Sequence, residues 1–483
     1  MGPVISRRRL LQTAGALGAA GAVGSLAACD TAPSGAGGNG KGAPVSWWGF
    51  AEGLEAPNKK VFAAFEKKTG TPVEYSFHQV AEIGEALQLA KQSDQLPDVF
   101  MPGGLELPTS ALINEGWYHP IDLGDEALDR LPDDSIFDGI HRFDGKLYTF
   151  PIFTHQQYWT VNWFSKKMAS DAGVEPPKTY DDFRAAARKI MSTAGDKTYG
   201  WVFNLGMPDR VGLQVSDLAQ AAGFGGSDGT LFTTGEIKYD DDAYLTVIEF
   251  LLSLQKDKLL MPGSSRLVDK DARLRWAAGG AGYFFDGPWC NGVVKTEAAE
   301  FLDQIDCSPI LVPDAGLEPL SYKGPDGGQY FAGGSTKKID KINQLLAMMT
   351  TEDYFASLAA GMDKVPLLPD AVEQSEAHPA YKKMVKFFQD QVYLAPVPVI
   401  KNSDVDLVDI EAKPIKPDLG DIVQGAFSGD VTDVKGQLKT LSDKKMKQRE
   451  QNIAKAKKKG AEVDADDWAF PDWKPKQDYT YSK

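Results

Sequence analysis

Val61-Phe62-Ala63-Ala64-Phe65-Glu66-Lys67-Lys68-Thr69-Gly70-Thr71-Pro72-Val73-Glu74-Tyr75-Ser76-Phe77 is the stretch that decides how this chain folds. Val61, Phe62, Phe65 and Lys68 recur at helical spacing, and Gly70 supplies the left-handed residue that ends a helix. Residues 72–77 then alternate as a strand. On one side stands Pro44-Val45-Ser46-Trp47-Trp48-Gly49-Phe50, a short apolar strand. On the other come a helical pattern through Ile83, Ala86, Leu87 and Ala90, then the strand Pro97-Asp98-Val99-Phe100-Met101. Strand, helix, strand, helix, strand at these lengths predicts βαβ units around a largely parallel sheet. Ligands of such sheets gather at the carboxyl ends of the strands.

Further along, Asp144-Gly145 sits at the tip of an expected hairpin, and residues 158–163 read as another strand. Thr179 is the expected cap of a helix over about 180–191, with Asp181 and Asp182 in its first turn. Helices are expected near 241–256, 337–349, 351–360 and within 422–459, and strands near 279–289 and 305–312. The basic run Lys455–Lys459 reads as a solvated helix end.

The N-terminus is an address rather than a fold. Arg7, Arg8 and Arg9 precede a Gly/Ala-rich apolar stretch to Ala28, the pattern of a cleaved export signal. Ser6 to Leu11 looks like a twin-arginine signal. Leu26-Ala27-Ala28-Cys29 resembles a lipobox, with Cys29 as the lipidated residue. Residues 29–43 are Gly, Ser and Ala rich and read as a tether. Localisation at the extracellular face of the cell membrane follows from these features.

The chain has 483 residues and a formal charge of −15. That length calls for more than one domain. Losing residues 1–28 removes three arginines and no acid, so the remainder is more acidic still. Such a body does not suit nucleic acid, which needs concentrated Lys and Arg. With 42% hydrophobic and 25% charged residues, wholesale disorder is excluded. Cys290 and Cys307 are either a disulfide or two buried thiols.

Several segments, in this order, resemble the family 1 extracellular solute-binding proteins, the carbohydrate receptors of bacterial ABC importers. They are residues 62–73, Leu96-Pro97-Asp98-Val99, residues 112–122, Asp144 to Pro151, Trp159 to Trp163, residues 173–183, Phe285-Asp286-Gly287-Pro288-Trp289 and Gly333-Gly334. The resemblance implies a type II periplasmic-binding-protein-like α/β fold. In it two lobes, each a mostly parallel sheet flanked by helices, are joined by hinge strands. The expected division is a signal at 1–28, the tether at 29–43 and a first lobe at 44–152. A second lobe at 153–303 follows, with a return at 304–350, the second lobe and hinge helices at 351–467, and a C-terminal strap at 468–483.

Sugars present hydroxyls and flat C–H faces, so their sites combine aromatic platforms with planar polar groups. Trp47 and Trp48 end the first strand, and only one of them can face a cleft. Glu52 follows in the loop, and His78 and Gln79 follow the second strand. Trp289 is the strongest platform on the resemblance, with Asp286 beside it as acceptor or turn cap. Trp159, Asn162, Asp217 and Gly333 complete the candidate set. The five histidines form no metal motif, and no nucleophile elbow appears. No catalytic residue, metal or cofactor is therefore expected. The expected protein is a monomeric receptor that binds a mono- or oligosaccharide and passes it to the permease subunits. The alternatives are a receptor for another solute or a secreted carbohydrate-active enzyme.

Overall fold

The computed structural model describes residues 42–79, 82–105 and 107–481. The signal, Cys29 and nearly all of the tether lie outside these residues.

The first sheet orders its strands Val73–Phe77, Val45–Gly49, Val99–Phe100, Phe331–Gly333, Tyr118–His119. The first three are mutually parallel, with Trp47 opposite both Tyr75 and Val99. The helix Glu52–Thr69 connects the first two strands. It begins earlier than its apolar spacing reveals, because Pro57 lies inside it. Gly70 ends it at φ 68°, its N–H bonded to the Glu66 carbonyl. The fourth strand, Phe331–Gly333, arrives from the other lobe and runs antiparallel to both neighbours.

The second sheet orders Ile305–Ser308, Val161–Ser165, Ala281–Asp286, Tyr199–Val202. Val161–Ser165 is antiparallel to both of its neighbours, and only the last pair is parallel. The expected α/β, two-lobed architecture is present, but both sheets are mixed. In each, a strand at a lobe crossing enters against the βαβ direction. Thr179 caps the helix Tyr180–Ala194 in a reciprocal box with Asp182. Asp144 and Gly145 both have positive φ, the geometry of a tight hairpin between Arg142–Phe143 and Lys146–Leu147.

Each sheet has its own core. Trp47 packs between Phe62 and Tyr330 in the first, at ring distances of 4.9 and 4.8 Å. Trp163, Phe183, Trp201 and Phe285 anchor the second. Phe355 and Leu358 of the helix Glu352–Gly361 lie in the first core and Ala359 in the second, so the chain passes between lobes within the last turn of this helix and not at 351. Likewise Ile305–Ser308 belongs to the second sheet, so the return starts after it and not at 304. Two of the segments that cross between the cores are paired with each other. Thr154 N–H donates to the Val365 carbonyl at 3.0 Å, and Leu367 N–H to that of Ile152 at 2.9 Å.

Asp98 ties the first sheet together. Its carboxylate accepts from Ser46 N–H at 2.9 Å, Thr336 Oγ1 at 2.7 Å and Lys338 Nζ at 2.7 Å. Burial works against ionisation, but these donors win and hold the carboxyl below its ordinary value. Asp98→Ala should cost about 2–3 kcal/mol in urea melts at pH 7, since hydrogen bonds to a charged group contribute roughly 1.5–3 kcal/mol. The folded pKa is depressed, so this contribution is complete above the unfolded value near ~3.9 and is lost as pH falls through the folded one. The gap between Asp98→Ala and wild type should therefore shrink in strong acid.

Candidate functional site

A cavity of about 250 Å3 opens beside the hinge, lined by Trp159, Leu213, Asp217, Lys323, Asp326 and Lys364, among others. A larger depression of about 500 Å3 lies on the first lobe between the hairpin and the helix Ile339–Ala347. Among the described residues no Trp, Tyr or Phe lines it, so the hinge cavity is the better candidate for binding a solute.

Trp159 is positioned by Asp217. The carboxylate accepts the Trp159 N–H at 2.7 Å and the Thr160 hydroxyl at 3.0 Å, and it pairs with Lys323. Asp217 is fully buried and already accepts from these three donors. It thereby holds the cavity wall in shape. Lys364 pairs with Asp326 at 3.7 Å. Burial lowers the pKa of His155, which keeps that ring neutral. The charges at the wall therefore cancel in pairs.

Trp289 approaches Trp159 edge to face, at 5.7 Å and 71°. The Arg210 guanidinium lies over both rings, 4.8 Å from the first and 4.5 Å from the second. Its Nε faces Asp269 at 3.2 Å, and Asn204 also donates to Asp269. Asp286 fixes Trp289 by accepting its Nε1–H at 3.0 Å. Asp286 is itself buried against Arg273 at 2.6 Å and accepts the Gly287 N–H at 2.8 Å. Burial disfavours the charge on Arg273, but the adjoining carboxylate outweighs it and raises the arginine pKa above its ordinary value.

On the first lobe, Trp48 and His78 form a separate ring pair at 4.4 Å. Glu52 is exposed in the first turn of its helix. It faces Lys270 and Asp363, and burial, with Glu52 adding to it, lifts the Asp363 carboxyl above its usual range. A side chain at Gly53 would collide with Asp363. Gln79 is exposed, and its carbonyl accepts from Glu82 and Ile83 at the start of the helix Ile83–Gln92.

The structure decides several open alternatives and corrects other expectations. Trp47 points into the core and is wholly buried, so Trp48 is the tryptophan nearer the surface. Asn162 is buried in its strand, donating to Ser308 Oγ at 2.8 Å. Asp286 caps the turn and holds an arginine and a tryptophan, with nothing left for a ligand. Gly333 is a packing residue, since a Cβ there would strike the Pro97 carbonyl. Cys290 and Cys307 are free buried thiols, not a disulfide. Burial pushes both well above the ordinary thiol pKa. Arg210, Leu213, Lys323, Asp326 and Lys364 were not anticipated. The turn-dense Gly324-Pro325-Asp326-Gly327-Gly328 stretch was the available signal for Asp326 and its neighbours.

The model of the family described as bacterial extracellular solute-binding protein matches residues 49–354. The chain belongs to that family. The family and its two-lobed fold are those of binding proteins, not enzymes. This solute-binding protein is 25% identical over 350 residues to an uncharacterized ABC transporter extracellular-binding protein of Pyrococcus horikoshii, covering 65% of this chain and 76% of the relative. A solute-binding protein from Thermotoga lettingae, solved with alpha-D-tagatose, superimposes with a TM-score of 0.63 at 20% identity, over 84% of this chain and 100% of that one. The GacH receptor of Streptomyces glaucescens, solved unliganded and with acarbose, gives 0.62 at 18% identity, over 84% and 98%. Among the described residues no group of His, Cys, Asp or Glu is placed to hold a metal ion.

A thiol reagent should leave Cys290 and Cys307 of the native protein unmodified and label both after denaturation. Protection of these residues in the denatured, unreduced protein would contradict the free-thiol state.

Proposed function

We propose that this protein is the extracellular receptor of an ABC importer and that it captures a mono- or oligosaccharide at the hinge cavity. The observation that carries the reading is the cavity wall: the indole of Trp159, with Trp289 packed against it, beside lysine–carboxylate pairs whose charges cancel. Such a surface suits a neutral ligand with apolar faces and hydroxyl edges. The tagatose and acarbose held by structural relatives support the same ligand class. Trp48, Glu52, His78 and Gln79 stand on the opposing lobe as candidate contacts. Ligand that prefers the closed arrangement draws the two lobes together about the hinge. The closed protein, as a monomer, then presents the solute to the permease subunits, while lipid on Cys29 holds it at the outer membrane face. No helix among the described residues is long and apolar enough to cross a membrane.

A thermal-shift screen tests the ligand class, because a ligand bound only by the folded state raises the melting temperature. Neutral saccharides should raise it, and amino acids and polyamines should not; the reverse outcome would sink the saccharide reading. For a saccharide that binds, Trp159→Ala should weaken affinity about 3- to 10-fold by calorimetry, as expected for a stacking contribution of roughly 0.5–1.5 kcal/mol. Trp47→Ala should instead lower stability by about 3–5 kcal/mol, the cost of emptying a core tryptophan site.

A further inference from the structure

The C-terminal part of the chain builds a small body outside both lobes. Val405 and Val408 of the short helix Val405–Asp409 pack with Ile453 and Ala456, near the end of the long helix Val434–Lys458, and with Trp468. The second lobe carries this body. Leu438 and Leu441 of the long helix lie in that lobe's core, and Ser442 Oγ accepts the Tyr239 N–H at 2.8 Å.

Among the described residues, the same body reaches the first lobe at three points. Ser110 Oγ, in the helix Thr109–Asn114, donates to Asp406 Oδ2 at 2.6 Å. Gly139, at φ 79°, lies so close to the chain that a Cβ would come within 2.7 Å of the Val399 carbonyl. The Tyr481 ring meets Phe137 edge-on at 6.1 Å, while its hydroxyl accepts the Val397 N–H at 2.6 Å.

We propose that residues 398–411 and 449–481 form a strut, fixed to the second lobe and bearing on the first, that sets the resting separation of the lobes. Rotation about the paired segments at 152–154 and 365–367 carries the strut with the second lobe. Each of the three contacts must then slide or break. One hydrogen bond, one close backbone approach and one ring edge make a light load, so the strut biases the hinge and does not lock it. Its effect on ligand affinity rests on the receptor reading; its effect on lobe separation does not.

The test needs no ligand. Nitroxides on Lys67→Cys and Ala185→Cys, exposed positions on the two lobes, report lobe separation by double electron–electron resonance. The unliganded protein should give a narrow distance distribution. Ser110→Ala combined with Tyr481→Ala should broaden it, and Asp406→Ala, which breaks the first contact from the other side, should do so too. Circular dichroism checks that each variant is folded, and Ser110→Ala alone is mild enough to serve if the others are not. Distributions superimposable on that of the parent protein overturn the strut. A broadened distribution with no response to any saccharide supports the strut and counts against the receptor reading; an unchanged distribution with a clear saccharide response does the reverse.

Discussion

Two hydrophobic cores can share one chain only if the backbone crosses between them without leaving its polar groups unpaired. Here two of the crossing segments satisfy each other. Ile152 and Thr154 bond to Leu367 and Val365, and Gln157 adds its side-chain oxygen to the Val365 N–H at 3.3 Å. Because that pairing is local, neither core has to be breached for the lobes to rotate. The cavity sits beside this crossing, where both lobes can supply walls. The mixed sheets have the same origin, since strands at the crossings enter each sheet against the direction of the βαβ units.

Charge in the site is spent on architecture. Asp217, Asp286 and Asp269 each hold a cation, and each thereby orients an indole or the guanidinium lying over one. Paired charges under aromatic rings give a rigid wall with no net demand for an ion of either sign. Removing Arg273 or Asp286 would leave the other buried and uncompensated, a much larger penalty than the pair's net worth. Such positions tolerate little change even though they need not touch a ligand.

Local signals in the sequence were reliable where chemistry is local. Gly70 and Thr179 end and start their helices as read, and Asp144-Gly145 turns its hairpin. The beginning of the helix at Glu52 was hidden by Pro57, which reads as a breaker but is accommodated inside the helix. Choosing between Trp47 and Trp48 required knowing which sheet face the helix Glu52–Thr69 covers, a tertiary fact. Lys323 meets Asp217 across 106 positions, and Arg210 meets Trp289 only after both have joined the second lobe. Asp286 beside Trp289 reads as either a ligand acceptor or a turn cap, and only Arg273, thirteen residues earlier, reveals that the carboxylate is already engaged.

The two unbridged thiols bear on how such a protein is made. A fold closed by a disulfide reaches its final stability only where an oxidant is present. Cys290 and Cys307 instead fill core positions as small apolar groups, and the sheets around them close by packing and backbone pairing alone. The native state is therefore indifferent to the redox potential of the compartment in which it forms. Folding can be completed on either side of a membrane, and nothing in the cores has to wait for transport.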